Sequence, residues 1–570
     1  MSETPQPPKS TGAGQHRLTF FWTYASQWKC KLLLALFELA FVSMTSLIYP
    51  WLIKLMVDRF KGEGSEQSDI LWFAILLLAL FVVSTFVGYH QQLTMHSLGY
   101  RLRNTIRADL FQSLLNRPMS FHRNQQVGEL SARATEDIGK LQPMFSGLIA
   151  PMFQNSLIIA GGLTLAMVLS WPATMVLAIF MILPLPFVLN YSRRIRALGA
   201  KSQADHAQAN ATLEETLVAI REVKAFVREE TEVRNYGQFL KDALLTELDA
   251  SKLVIRGNQS AYFLLSVMLL TMFYLGAIAV LPGWTLGSMV AFYFYAHTAA
   301  MALLSTGRTY LTYQSVMGAL ERVKELMSDH HSKSASAGII QRAHGSIALR
   351  NVSFTYGPGN PVLHDVNLEI EAGAWLLISG RSGSGKSTIA SLLMGFFEPV
   401  AGTVCVDDIP VSEWNMRELR KQIGYVGQDP MLFHGTLRKN LLLTHRHLSD
   451  IEFTRALETS CLDGMFAELP HGLDTIVGER GYTLSGGQKA RVAIARALLV
   501  DPAILILDEA NSMLEESLET QLWRNLAEAR RTRTTIILTH HTEHIPTIYR
   551  HFSIDEGRVA EISAVRVEKS

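Results

Sequence analysis

Six apolar runs punctuate the first 310 residues, at about 32–51, 70–87, 145–170, 173–190, 261–281 and 288–304. Most approach the roughly 20 residues that carry a helix across the hydrocarbon of a bilayer. Any one of them could be a buried helix of a soluble core. Six in series instead predict a bundle of membrane helices, and a chain of 570 residues with 48% hydrophobic residues has room for such a bundle beside a soluble domain.

The connections alternate in character. Three are short (58–69, 170–172 and 282–285), and two are long and polar (97–143 and 193–258). The long ones carry Arg101, Arg103, Arg107, Arg117, Arg123, Arg193, Arg194, Arg196 and Lys201, and Lys9, Arg17, Lys29 and Lys31 precede the first run. Positive charge flanking membrane helices favours the cytosol. The N-terminus, both long connections and the C-terminal half are therefore expected there. The long connections hold few Gly or Pro breakers, so stretches such as 207–240 read as helical and the membrane helices are expected to continue below the bilayer as paired cytosolic extensions. Pro184 and Pro186 are expected to kink the fourth helix, which neighbouring helices can accommodate.

The sixth helix reads on to residue 327. The segment 328–345, rich in Ser, Ala, Gly and His, reads as a linker. From residue 346 the pattern changes. Short β-like segments (347–356, 375–379, 504–507, 534–538) alternate with helical ones, which predicts an α/β fold with a largely parallel sheet. The expected organisation is multidomain. A flexible polar N-terminus (1–17) precedes an all-α six-helix transmembrane domain with cytosolic extensions (18–327), and the linker leads to an α/β domain (346–570) that the phosphate-loop sequence Gly380–Ser387 marks as a P-loop NTPase. A formal net charge of +1 argues against a nucleic-acid partner. The cysteines Cys30, Cys405 and Cys461 are scattered and suggest neither a disulfide framework nor a metal cluster. The N-terminus also lacks the charged-then-apolar order of a cleaved signal peptide.

The soluble half carries the chemistry. Gly380-Arg381-Ser382-Gly383-Ser384-Gly385-Lys386-Ser387 fits the phosphate-loop pattern, with Thr388 opening the helix that follows an apolar strand. Its glycines let backbone N–H groups curl around phosphate oxygens, and the helix N-terminus adds a favourable field for an anion. Lys386 can reach the β- and γ-phosphates, and Ser387 can ligate Mg²⁺. About 120 residues on, the apolar strand 504–507 ends in Asp508 and Glu509. Asp508 suits Mg²⁺, held directly or through water, and Glu509 suits a general base that polarises water.

Between these two lies Leu484-Ser485-Gly486-Gly487-Gln488. With this signature the soluble half resembles the nucleotide-binding domain of ATP-binding cassette (ABC) transporters. The first half resembles the exporter-type membrane domain of the same family, so the resemblance covers nearly the whole chain. It implies an ATPase that moves a substrate across a membrane. It also implies that Ser485, Gly486, Gly487 and Gln488 meet the ATP held by a partner's phosphate loop. The active unit would then be a dimer, either of two copies or of this chain with a paralogous half-transporter. The resemblance further implies that Tyr356 stacks on adenine, that Gln428 senses Mg²⁺ and contacts the membrane domain, and that His540, rather than the adjacent His541, contacts the γ-phosphate. Val477-Gly-Glu479-Arg-Gly481 resembles a loop that touches the intracellular helices. Phe121–Leu130 and Glu214–Phe226 resemble the two coupling segments. Cofactors would be ATP and Mg²⁺. The location would be a bacterial inner (plasma) membrane, spanned several times, with the ATPase domain cytosolic.

Two places depart from the family pattern. Glu515 stands where the family usually has Asp, and after Arg558 the usual glycine and terminal helix are not evident. The substrate is weakly encoded. Glu38, Gln154, Asn155, Asn190 and His297 are polar at membrane depth. Each could simply bond a neighbouring helix. Glu38 and His297 are the candidate substrate contacts, with Glu38 favouring a cationic or polar cargo. The expected cargo is an amphipathic small molecule, lipid or peptide, and export is the expected direction. An importer of a siderophore-like substrate on the same fold, or an ATP-switched regulatory membrane protein, are the alternatives.

Overall fold

The computed structural model describes residues 13–60, 67–125, 127–182, 185–277, 284–327, 338–357, 359, 361–443, 448–469, 471–478, 484–542, 545 and 550–562. The chain forms two compact units. One comprises residues 1–112 and 131–327, and the other comprises 113–130 and 328–570.

The first unit is helical. Among the described residues four helices are long and apolar enough to cross a membrane: Thr19–Arg59, Leu71–Leu115, Val127–Leu169 and Leu286–Met327. The fourth apolar run falls on the helix Trp171–Ile182 and the start of Leu185–Val218, and the fifth on Glu229–Ala277. Pro184 and Glu479–Gly481 lie outside the described residues, as does the side chain of Asn190. Small residues let the helices approach. Gly162 lies against Ala299 and the Tyr295 carbonyl, while Ala166, Ala173, Ala291 and Ala296 surround Leu177, Phe292 and Tyr295 in a buried cluster. The Tyr295 hydroxyl donates to the Leu47 carbonyl at 2.8 Å. Asp58 ties down the start of Leu286–Met327, accepting from the Gly287 N–H at 3.0 Å and the Thr285 hydroxyl at 2.8 Å. An acidic group at a helix N-terminus satisfies donors that no turn of the helix can reach.

The stretch 207–240, expected to be helical, is divided among three helices. Leu185–Val218 ends at Ala219, Ile220–Ala225 is a short helix, and Glu229–Ala277 begins after a turn in which Val227 has φ +53°. The reversal has local support. Glu229, Glu230 and Glu232 fill the first turn of the new helix, and Lys224 pairs with Glu229 at 2.9 Å. Beyond the turn the two long helices are bonded to each other through Thr246 to Asp205 (3.0 Å) and His206 to Glu247 (2.8 Å).

The second unit is α/β. Its strands are β1 (Ile347–Phe354), β2 (Leu363–Ile370), β3 (Trp375–Ser379), β4 (Ala401–Val406), β5 (Ile409–Pro410), β6 (Ile423–Val426), β7 (Gly435–Thr436), β8 (Ile476–Val477), β9 (Ile504–Asp508), β10 (Thr534–Thr539), β11 (Arg550–Asp555) and β12 (Arg558–Ile562). An antiparallel sheet has the order β2-β1-β4-β5, the main sheet β12-β11-β3-β10-β9-β6, and β7 pairs with β8. From β11 to β6 the main sheet is parallel. Alternation explains its two cores. Leu376, Ile378, Ile504, Ile506, Ile536 and Leu538 face one buried cluster, whereas Trp375, Leu377, Leu505, Leu507 and Ile537 face the other. Residues 338–345, read from sequence as linker, are bonded to this unit where they are described. The Ile339 N–H donates to the Glu413 carbonyl at 2.8 Å, and the N–H groups of His344, Gly345 and Ser346 converge on the Asp407 carboxylate.

Candidate nucleotide site

Because β3, β10, β9 and β6 run parallel, their C-terminal ends lie along one edge of the sheet. In register, Leu538 faces Ile378 on one side and Asp508 on the other, and Val426 faces Leu507. This brings together four loops separated by up to about 160 residues: 380–387, 427–428, 508–509 and 539–540. A crevice at the carboxyl edge of such a sheet is where ligands bind in open α/β folds.

The loop after β3 needs its glycines. Gly383 and Gly385 have φ +82° and +112°, and Gly385 leads into the helix Lys386–Leu393 with no side chain capping its first N–H groups. Ser384 Oγ is buried and unpartnered. The Lys386 ammonium, also buried, donates to the carbonyls of Gly380 (2.7 Å) and Arg381 (3.0 Å) and lies 3.6 Å from Glu509 Oε1. Arg381 and Ser382 are exposed on the loop.

Glu509 is the hub. It has φ +50°, an uncommon backbone state for a residue with a side chain, and its N–H is held by the Leu538 carbonyl at 2.8 Å. Gln428 Nε2 donates to Glu509 Oε2 at 2.6 Å, and His540 Nδ1 lies 3.4 Å from Oε1. His541 turns its backbone N–H to Thr539 and packs its ring on that of His540. Of the two histidines, His540 is the one beside Glu509. Asp508 is buried. Burial raises its carboxyl above the usual carboxylate range, against the pull of a hydrogen bond from Ser387. Burial beside Asp508 also pushes the Tyr425 hydroxyl up to about 12. One oxygen of Asp508, Oδ1, is buried with no partner. Ser387, Asp508 and Gln428 thus present hard oxygen atoms, one of them orphaned, in a setting that suits Mg²⁺.

The Tyr356 ring stands at the rim. Its hydroxyl is 3.1 Å from that of Thr388, and Phe354 and Phe397 lie nearly perpendicular to it. Arg123, read from sequence only as a basic residue of a coupling segment, has its guanidinium carbon 3.6 Å from the ring centroid. No local pattern links positions so far apart.

Ser485–Gln488 form the start of the helix Gly486–Leu498. Ser485 and Gln488 make a reciprocal capping box, the Ser485 hydroxyl accepting from the Gln488 N–H and Gln488 Oε1 from the Ser485 N–H. The Gln488 side chain is thereby committed within its own loop. A Cβ at Gly487 would stand 2.8 Å from the Met513 carbonyl oxygen, so the loop after Glu509 packs against the signature glycines. Met513 is a second contributor that the sequence did not flag.

In the membrane unit, Glu38 Oε1 pairs with His90 Nδ1 at 2.7 Å, while its Oε2 is buried without a partner. His297 stacks on Tyr293, and Asn155 donates to the Thr306 hydroxyl at 3.4 Å.

The family model "ABC transporter transmembrane region" matches residues 32–303, and the model "ABC transporter" matches 363–512. The chain is 30% identical to the putative ABC transporter ATP-binding protein exp8 of Streptococcus pneumoniae, covering 93% of this chain and 91% of that one. It is 28% identical to the ATP-dependent lipid A-core flippase of Ralstonia nicotianae, covering 99% and 96%. It spans 59% and 41% of the length of two further curated relatives. A bacterial Atm1-family ABC exporter solved with ATP bound has the same fold, with TM-score 0.83 at 24% identity over 94% of this chain and 95% of that one.

Proposed function

We propose, from the premise that this chain belongs to the ABC transporter family, that it is an ATP-hydrolysing half-transporter that exports an amphipathic small molecule, lipid or peptide. The observation that carries the reading is the convergence of Lys386, Gln428 and His540 on Glu509 at the carboxyl edge of a parallel sheet.

In this reading the loop Gly380–Thr388 binds the phosphates through its backbone N–H groups, and Lys386 exchanges its carbonyl partners for phosphate oxygens. Tyr356 stacks on the base. Ser387, Gln428 and Asp508 would hold Mg²⁺, which when bound would neutralise phosphate charge. Glu509 accepts a proton from the attacking water. Gln428 and His540 hold its carboxylate in place, and His540 contacts the γ-phosphate. Ser485, Gly486 and Gly487 complete the site of a partner subunit, so two copies of the chain, or a paralogous half, close around ATP. A closed dimer that binds ATP more tightly than the open one would drive the membrane helices between orientations. Glu38 and His297 contact the cargo. The chain would sit in a bacterial plasma membrane, with its N-terminus and ATPase domain in the cytosol.

The test is Mg²⁺-dependent, vanadate-sensitive ATPase of the purified chain in lipid, together with ATP-dependent uptake into inside-out vesicles. Turnover in the chain alone that is lost in Glu509→Gln supports the reading, and uptake into those vesicles supports export. Undiminished turnover in that variant overturns the catalytic assignment.

A further inference from the structure

We propose that Arg123 and the nucleotide base compete for one face of Tyr356, so that Arg123 sets the apparent affinity for ATP. The inference rests on the reading of Tyr356 as the adenine platform.

Arg123 lies in the short helix Met119–Asn124, in a segment that packs as part of the α/β unit. That segment is braced locally. Pro118 precedes the helix, the His122 ring is 3.0 Å from the Leu114 carbonyl, and Arg117 lies over Phe121 at 5.1 Å. Arg123 is therefore presented from a defined position, although its side chain is exposed. At 3.6 Å from the ring centroid its guanidinium is in stacking contact with Tyr356. A planar, weakly hydrated cation suits that position, and so would a planar purine. The ring's other approaches are taken by the Thr388 hydroxyl and by two near-perpendicular phenylalanines. The face beneath Arg123 is left for a flat group, and two flat groups cannot share it.

Competition has a definite signature. A site that is binding-competent for only a fraction of the time shows an affinity weakened by that fraction. Removing the guanidinium should then tighten ATP binding, by about 2- to 10-fold for a cation–π contact of this kind. A group that contains no base should feel no change.

The experiment measures equilibrium binding of radiolabelled ATP to the full-length chain in lipid, in a Glu509→Gln background that prevents turnover. Inorganic tripolyphosphate serves as a competitor without a base. In Arg123→Ala the dissociation constant for ATP should fall about 2- to 10-fold, that for tripolyphosphate should hold, and Arg123→Lys should lie between wild type and Arg123→Ala. With active protein, the same variant should lower KM with kcat retained. In a Tyr356→Ala background, Arg123→Ala should have no effect. Weaker or unchanged ATP binding in Arg123→Ala overturns the competition, weaker binding indicating instead that Arg123 and Tyr356 clamp the base between them. Unchanged ATP binding in Tyr356→Ala alone would show that the platform reading itself is wrong, and the competition falls with it.

Discussion

The Lys386 ammonium lies 3.6 Å from the Glu509 carboxylate, with both groups almost wholly removed from solvent. Two charges in so dry a place depend on each other and on the hydrogen bonds around them. On the proposed chemistry, Glu509→Gln removes the proton acceptor and keeps the shape. ATPase should fall by roughly 10²- to 10⁴-fold while ATP binding persists. Single-turnover hydrolysis beside equilibrium binding checks both halves of this expectation. Loss of binding along with turnover would place Glu509 in the architecture of the site rather than in its chemistry.

Asp508 gives a pH prediction whose sign follows from burial. Its folded carboxyl is raised, so the folded protein keeps a proton that the unfolded chain has already released. The stability it contributes is complete below the unfolded carboxylate value of about 4 and is lost as pH rises through the folded value. Ionising Asp508 therefore costs more in the folded, nucleotide-free protein than in the unfolded chain near neutral pH. Asp508→Asn should raise the thermal unfolding midpoint there, with the gain shrinking as pH is lowered towards 4, while Mg²⁺-dependent turnover is lost. A lower midpoint at neutral pH would contradict it.

Glu515 occupies the N-cap of the helix Glu516–Ala529 and makes no side-chain capping bond. Asp reaches the N–H groups of the first turn, and the extra methylene of Glu spoils that geometry. Glu515→Asp should restore the cap and stabilise the protein by about 1 kcal/mol, read as a shift of the thermal midpoint. No shift, or a fall, would mean that the helix start is satisfied otherwise.

The signature glycines should differ in tolerance. A Cβ at Gly486 meets the flexible Met513 side chain, which can move, whereas at Gly487 it meets the Met513 backbone carbonyl, which cannot. Gly487→Ala should cut ATPase by at least tenfold more than Gly486→Ala (roughly 1.4 kcal/mol in barrier), with ATP binding at the chain's own phosphate loop intact in both. Equal loss in the two variants would sink the packing argument.

Glu38 has one oxygen on His90 and one buried without a partner. If that oxygen serves the cargo, Glu38→Gln should abolish stimulation of ATPase by cationic substrates and leave basal turnover in place. Unchanged stimulation across a panel of cationic and neutral amphiphiles would return Glu38 to a helix-bonding role.

Much of this was legible along the chain. The apolar runs, the strands β3, β9 and β10, the phosphate loop and the Asp508-Glu509 pair all announce themselves through patterns of a few residues, because hydrophobic period and loop chemistry are local properties. Where the paired extensions reverse, at Ala219–Arg228, was less legible. Good helix formers surround it, and only the left-handed Val227 and the paired long helices reveal the turn. The packing of 338–345 was hidden for the same kind of reason, since a Ser- and Gly-rich segment looks like a linker until Asp407 gathers its N–H groups.

Sequence alone thus determined the chemical inventory: a membrane-spanning half, a phosphate loop, two carboxylates and a signature helix. Tertiary structure decided which of these meet. Parallel pairing of β3, β10, β9 and β6 carries Lys386, Gln428, Glu509 and His540 to one edge. Packing sets Arg123 on Tyr356 and Met513 against Gly487. These contacts join residues tens to hundreds of positions apart, and they are selected by burial of whole sheet faces rather than by any local preference of the residues that touch.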